Sequence, residues 1–437
     1  MNLTRPPSGN RLLVVTLCSM AIVIDGYDLI VYGTVVPTLV GGGAEWKLTA
    51  TQAGQIGAYA LAGMLIGAIG IGTITDIVGR RRIMIVCVVW FSLAMALTAA
   101  SPTVEVFALT RFLAGLGLGG VIPTAIALTI EYAHPDRRNA TNGAMFSGYS
   151  VGGILVSLIA IAVIPELGWR AMFWIGAGLG LLLAPAMFWL LPESPNYLLA
   201  RGRREEAVRL AERYGMQLTE LPESSAREQG ALGKLRALLG ARLRTGTLLF
   251  WLGTGIGLLL VYGLNTWLAQ IMRTAGYPLG ASLGFLLALN LGAILATPLL
   301  GALADRVGSK VVTSGMFLTA ALCIVALTVR FPAPVLYVLV AVAGACTIGT
   351  TILVNAYTAT FYPDHLRATG VGWTLGVGRL GAIIGPLYGG LVMSSGWGVD
   401  ANFYAFAIPA LLGAFCMLLI PSARVQEPHA DKVPDTT

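Results

Sequence analysis

The sequence predicts an all-α membrane protein with twelve transmembrane helices in two pseudo-symmetric six-helix bundles. Three observations predict it. First, 56% of the 437 residues are hydrophobic and only 11% are charged, against about 25% charged in an ordinary soluble protein. A soluble globule of this length could not hide so much apolar surface, which excludes a cytosolic enzyme, a disordered chain and a secreted disulfide scaffold. Second, the apolar residues gather into twelve stretches, each near the roughly 20 residues that a bilayer core requires. Third, the two halves of the chain repeat the same motifs at nearly one offset.

The first six spans read as Leu12–Val40, Ala53–Thr75, Ile83–Ala100, Val104–Ala133, Thr141–Ile164 and Ala171–Leu191. The second six read as Gly246–Met272, Gly280–Leu303, Val311–Val329, Val335–Phe361, Thr369–Ser394 and Ala401–Ile420. The first stretch is not a signal peptide, because it carries two aspartates and no small-residue cleavage site. The chain thus divides into a bundle at 1–191, a cytoplasmic loop at 192–244, a second bundle at 245–420 and a cytoplasmic tail at 421–437. In the loop, Gly202–Tyr214 reads as a solvated helix stopped by Gly215. Lys234–Arg244 reads as a basic helix suited to an anionic membrane surface, with a plain linker as the alternative.

Sidedness follows from lysine and arginine. With both termini inside, only Lys47, Arg170, Arg273 and Arg330 fall in outer segments, and only Arg111 and Arg379 fall inside spans. The net charge of +7 is then a consequence of topology, and no nucleic acid partner is expected. The five cysteines all sit in apolar stretches and read as buried thiols. The three histidines lie in loops or the tail, so no metal site is expected.

Gly72-x-x-x-Asp76-x-x-Gly79-Arg80 after span two recurs as Gly301-x-x-x-Asp305-x-x-Gly308 after span eight, an offset of 229. Pro135-Asp136, Ala140-Thr141 and Gly153 recur as Pro363-Asp364, Ala368-Thr369 and Gly381, an offset of 228. Two such pairs imply a duplicated six-span unit.

The loop Gly72-x-x-x-Asp76-x-x-Gly79-Arg80-Arg81 resembles the signature of the major facilitator superfamily, and it stands at the right place in the topology. The resemblance covers essentially the whole chain and implies the major facilitator fold. It also implies a charged network that holds the inner gate closed while a carrier faces outward. The residues it assigns to that gate are Gly72, Asp76, Gly79, Arg80, Arg81, Glu131 and Arg138, with Asp305 and Arg367 in the second half. The alternative is that these charges only fix topology.

Gly26-Tyr27-Asp28, Arg111-x-x-x-Gly115-x-Gly117-x-Gly119 and Pro192-Glu193-Ser194-Pro195 are shared with sugar porters. The paired aspartates of Asp25-Gly26-Tyr27-Asp28 are similar to the aromatic acid:proton symporter family instead. So are Leu264-Asn265-Thr266-Trp267-Leu268 and Arg367-Ala368-Thr369-Gly370, which leads to Gly378-Arg379-x-Gly381.

Asp25, Asp28, Arg111 and Arg379 lie within spans, where each charge costs roughly 2.5–3.5 kcal/mol to insert. Asp25 and Asp28 share one helix face. Two carboxylates one turn apart resist double ionisation, so one can carry a proton. Arg111 is at a depth to pair with them. These three are the proton-coupling candidates, with Asp28 expected to be the main acceptor and Asp25 to tune it. A structural ion pair is the plainer reading. Arg379 has no acidic residue at its depth in its own half, and a guanidinium suits a carboxylate ligand. The alternative is pairing with Asp25 or Asp28.

Tyr32, Tyr149, Tyr262, Trp267 and Trp373 could stack a ring, and Asn265 and Asn290 could bond a ring hydroxyl; helix packing is the competing role for each. The glycine runs are no nucleotide loop, since no Walker lysine follows.

The expectation is a monomeric inner-membrane symporter for an aromatic carboxylate such as benzoate, a hydroxybenzoate or protocatechuate. It would be driven by protons and need no other cofactor. The alternatives are a carrier for another organic anion (nicotinate-like) or a sugar, a drug:proton antiporter, or a transporter-like receptor.

Overall fold

The computed structural model describes residues 10–216, 218 and 231–421. Six long helices form the first half: α1 (Arg11–Gly41), α2 (Ala50–Val78), α3 (Arg80–Ala99), α4 (Val104–Tyr132), α5 (Arg138–Leu167) and α6 (Trp169–Leu190). Three short ones follow: α7 (Pro195–Ala200), α8 (Arg204–Tyr214) and α9 (Ala231–Leu238). The second half is α10 (Arg244–Thr274), α11 (Leu279–Val307), α12 (Ser309–Ala326), α13 (Ala333–Phe361), α14 (Asp364–Ser394) and α15 (Val399–Leu419). Twelve of these helices are long and apolar enough to cross a membrane, in register with the twelve predicted stretches.

Local sequence sets the helix ends. Thr49 and Gln52 form a reciprocal capping box at the start of α2, and Thr103 caps α4. Gly79 and Gly308 each separate two helices with a single residue, at φ 108° and 100°. A side chain at that φ is strained, so the glycine of both motif copies is a requirement of the turn. The five cysteines are buried and free.

Each half is knitted by glycine-mediated helix contacts. In the first, Gly26 of α1 lies against the Tyr149 backbone of α5. In the second, Gly381 of α14 lies against Gly255 of α10. The segment between the halves is fastened at both of its described ends. Arg11 donates from Nε to the Tyr214 carbonyl at 2.6 Å and from Nη2 to that of Gly215. Tyr214 meets Tyr132 edge-on at 5.2 Å. Ala207, Ala211 and Tyr214 of α8 are buried, so this helix is docked along one face and not solvated all round.

The predicted basic helix over Lys234–Arg244 is shorter than expected. It ends at Leu238, which packs with Tyr362 and Leu366 of the second half. Its carbonyl accepts from Thr247 Oγ1 at 3.1 Å. Residues 422–437, most of the predicted tail, lie outside the described residues.

The halves meet at the end remote from the first residues of α1. A Cβ on Gly54 of α2 would sit 2.6 Å from the Pro386 carbonyl and 3.3 Å from Gly390 Cα of α14. Gly33 of α1 rests on the Asn265 carbonyl of α10. At the opposite end, a Cβ on Gly70, Gly72, Gly301, Gly372 or Gly376 would meet nothing within 4 Å. The bundle is pressed shut at one end and loose at the other.

Candidate functional site

The middle turns of α1, α5, α10 and α14 and the early turns of α4 bring most of the predicted polar residues together. Asp28 and Arg111 form a wholly buried pair, with Arg111 Nη1 2.6 Å from Asp28 Oδ1. Arg111 Nη2 also donates to the Asp28 main-chain carbonyl at 3.0 Å. The guanidinium lies near the rings of Phe173 (5.6 Å) and Tyr32 (6.0 Å), in reach of cation–π attraction. Tyr32 is held in turn, its hydroxyl donating to the Ala53 carbonyl at 2.6 Å. This pair is a neutral, anchored unit.

Asp25, one turn earlier, is in a different situation. It is fully buried, and neither carboxylate oxygen has a hydrogen-bond partner. Arg379 of α14 is close enough to act on it electrostatically. Arg379 also acts on Tyr262 of α10, and Tyr262 meets Tyr149 of α5 at 6.5 Å, edge-on. The Tyr149 hydroxyl is buried without a partner. Asp25 and Tyr149 come from the first half, Tyr262 and Arg379 from the second. The quartet therefore spans the boundary between the halves. The glycine contacts explain its assembly: Gly26 puts Asp25 beside Tyr149, and Gly378 and Gly381 bring α14 close enough to α10 to set Arg379 beside Tyr262.

Two buried amides lie at the same level. Asn290 Nδ2 donates to Asn265 Oδ1 at 3.2 Å and to the Leu286 carbonyl at 3.0 Å. Asn290 Oδ1 has no partner and abuts Gly153. Leu29, Tyr32, Arg111, Tyr262, Asn265 and Thr266 border a narrow cleft with room for little more than a water molecule. That constriction sits just below the shut end of the bundle.

Two aromatics stand elsewhere. Trp267 is fully buried, and its Nε1 donates to the Pro386 carbonyl at 2.8 Å. Its ring fills the space beside Gly389 and Gly390, so it belongs to the contact that shuts the bundle. Trp373 is 40% exposed and stacks on Trp251 with ring centroids 6.0 Å apart. A helical position in sequence does not say which way a side chain points, so both read there as ring-stacking candidates.

The gate residues separate similarly. Arg80 pairs with Glu131, and Asn196 Nδ2 donates to the same Glu131 oxygen at 2.9 Å. Glu193 Oε1 accepts from the backbone N–H groups of Arg81 (3.0 Å) and Ser194 (2.9 Å). Arg81 reaches the Phe188 carbonyl. Arg138, predicted to join Glu131, is instead exposed at the start of α5, while Arg80 and Asn196 both meet Glu131 Oε1. Asp305 and Arg367 are exposed, and Arg367 Nε donates to the Ala359 carbonyl at 2.9 Å. Gly72 and Gly79 lie at the end of α2 and in the turn after it. The Asp76 side chain lies outside the described residues. Glu193 and Asn196 were not singled out as gate residues. The Pro-Glu-Ser-Pro run was their signal, and it gave no partner.

The sequence matches the profile described as Major Facilitator Superfamily over residues 18–291 and 280–436. It is 38% identical to the benzoate transport protein of Acinetobacter baylyi over 427 residues, 95% of this chain and 91% of that protein. It is 36% identical to the gentisate transporter of Corynebacterium glutamicum, covering 97% and 90%. The fold is similar to the inward-open structure of the xylose transporter XylE from Escherichia coli, with a TM-score of 0.76, 16% identity, and 95% and 98% coverage.

Proposed function

The chain belongs to the Major Facilitator Superfamily, and from that premise we propose that it imports an aromatic carboxylate together with protons across the inner membrane, its termini cytoplasmic. Such a carrier is a transporter and not an enzyme, and no resident cofactor enters the scheme; protons are the coupling ion. A single copy is sufficient, since both halves of the site lie in one chain.

One observation carries the reading. Arg379 donates no hydrogen bond among the described residues, yet it sits mid-helix near Tyr262, whose ring meets Tyr149, and near a buried aspartate of the other half. A guanidinium held near a carboxylate and aromatic faces is suited to a ligand with a carboxylate on a ring. The names of the benzoate and gentisate carriers support the same class. A sugar would bring no charge of its own to Arg379, and a cation is a poor ligand for a guanidinium.

In this mechanism the substrate bridges the halves, its carboxylate on Arg379 and its ring against Tyr149 and Tyr262. The bundle then rocks from the shut end seen here to the opposite one. Asp28 and Arg111 stay paired and fix α1 to α4 throughout.

The test is uptake into proteoliposomes under an imposed inward proton gradient, with labelled benzoate, gentisate, 4-hydroxybenzoate, glucose and a cationic dye. Accumulation of an aromatic acid that collapses with a protonophore and is lost in Arg379→Ala is expected. Dye extrusion with no acid uptake would overturn the proposal.

A further inference from the structure

We propose that Asp25 and the substrate carboxylate compete for Arg379, so that Asp25, and not Asp28, is the residue whose protonation admits the substrate. This rests on the symport reading above and deepens it.

The two aspartates differ in what already meets their charge. Asp28 is paired with Arg111 within its own half, through Oδ1 and the main-chain carbonyl together, although its Oδ2 has no hydrogen-bond partner. Releasing it would leave a buried guanidinium unpaired. Asp25 has no hydrogen bond on either oxygen, and the uncommitted cation near it is Arg379. The groups around Asp25 can be named helix by helix. Asp28 follows on α1, and Arg111 of α4 is committed to it. Tyr149 faces Asp25 from α5 and Tyr262 from α10, and Arg379 from α14. The middle turns of α2, α6 and α11 carry no Asp, Glu, Lys, Arg or His.

Charge counting then gives coupling. With Asp25 ionised and no substrate, its charge and that of Arg379 cancel. With Asp25 protonated and a carboxylate on Arg379, the site is neutral again. The two mixed states are not: proton without substrate leaves one positive charge, and substrate without proton leaves one negative charge. A net charge between two apolar bundles is costly, so only the empty and the doubly loaded carrier cross. Protonation frees Arg379 for the anion, and deprotonation on the far side returns Asp25 to Arg379 and displaces the anion. One proton travels through this site per carboxylate.

The experiment uses the purified full chain with benzoate as probe. In the wild type, apparent affinity above the titration of Asp25 should fall by up to about tenfold per pH unit, as the competent fraction falls. In Asp25→Asn it should change less than twofold over the pH range in which the wild-type affinity falls. That variant should still exchange benzoate for benzoate across proteoliposomes, since its loaded form is neutral, but should lose proton-driven accumulation. A pH-independent affinity in Asp28→Asn, with the wild-type profile kept in Asp25→Asn, would overturn the assignment.

Should Asp25→Asn fail to fold, proton uptake by the wild type on adding benzoate in weak buffer decides it. Measured above the titration of Asp25, about one proton per benzoate is expected, and none there would overturn the competition. If the wild type binds none of the aromatic acids tested, the symport reading itself fails, which is a different result from binding without proton uptake.

Discussion

Arg111 holds Asp28 twice, by the carboxylate at 2.6 Å and by the main-chain carbonyl of the same residue at 3.0 Å. The second bond matters because it fixes the α1 backbone and not only a side chain. A lysine, with one point-like ammonium, could not hold both acceptors in this planar arrangement.

Arg111→Ala should therefore strip Asp28 of its partner inside the bundle. Breaking a buried pair from one side costs about 3–5 kcal/mol, and thermal unfolding in detergent should show a large loss. Combining Arg111→Ala with Asp28→Asn should recover part of that stability, since no charge is then left alone. An Arg111→Ala protein that melts with the wild type would show that the pair is not structural.

The shut end depends on close backbone approach. A side chain on Gly54 would strike the Pro386 carbonyl, and Trp267 uses that same carbonyl as its acceptor. Gly54→Leu should keep this end from closing and reduce uptake at least tenfold. A cysteine placed at Thr266, beside the cleft, should then react with a membrane-impermeant thiol reagent applied from the shut side. The same cysteine should be protected when Gly54 is intact. Equal labelling in the two backgrounds would refute this account of the seal.

Glu131 accepts from both Arg80 and Asn196, with 21% of the Arg80 side chain and 9% of that of Glu131 exposed. Partial exposure discounts the charge term, so Glu131→Gln should cost only roughly 1 kcal/mol. The expected signature is a melting point lower by a few degrees together with easier proteolysis at α7, which Asn196 ties to α4. A melting point equal to that of the wild type would argue that the cluster contributes no stability in this conformation.

The sequence was most informative where one residue has one physical use. Apolar runs marked the spans, and the repeated glycine foretold the turns at Gly79 and Gly308. Arg111 could be matched by depth to the two aspartates of α1, because burial forces unlike charges together. It was least informative where direction around a helix decides. Trp267 and Tyr262 are five residues apart on α10, yet one seals the shut end and the other faces Arg379. Nor could it separate Asp25 from Asp28. They share a face and a chemistry, and only the position of α14 makes their surroundings differ. Glu193 was hidden for a related reason: its partners, the N–H groups of Arg81 and Ser194, are backbone atoms that no side-chain pattern announces.

Gly72 offers a test of the opposite conformation. Along α2, Gly63 and Gly67 press on the α4 backbone at Phe112 and Leu116, as glycines of a packed helix pair do. A Cβ on Gly72 would meet nothing within 4 Å, so packing in this conformation does not account for the glycine. A carrier that alternates must bring the halves together at this loose end, and the space beside Gly72 is where α2 would then be approached. Gly72→Leu should leave the melting point within about 2 °C of the wild type, as surface changes usually do. It should nevertheless slow uptake several-fold, by hindering closure at the loose end and favouring the conformation described here. Cysteine accessibility from the loose end should rise in step. Wild-type uptake in this variant would mean that the halves never close over Gly72, and the need for glycine would then have to come from somewhere other than alternation.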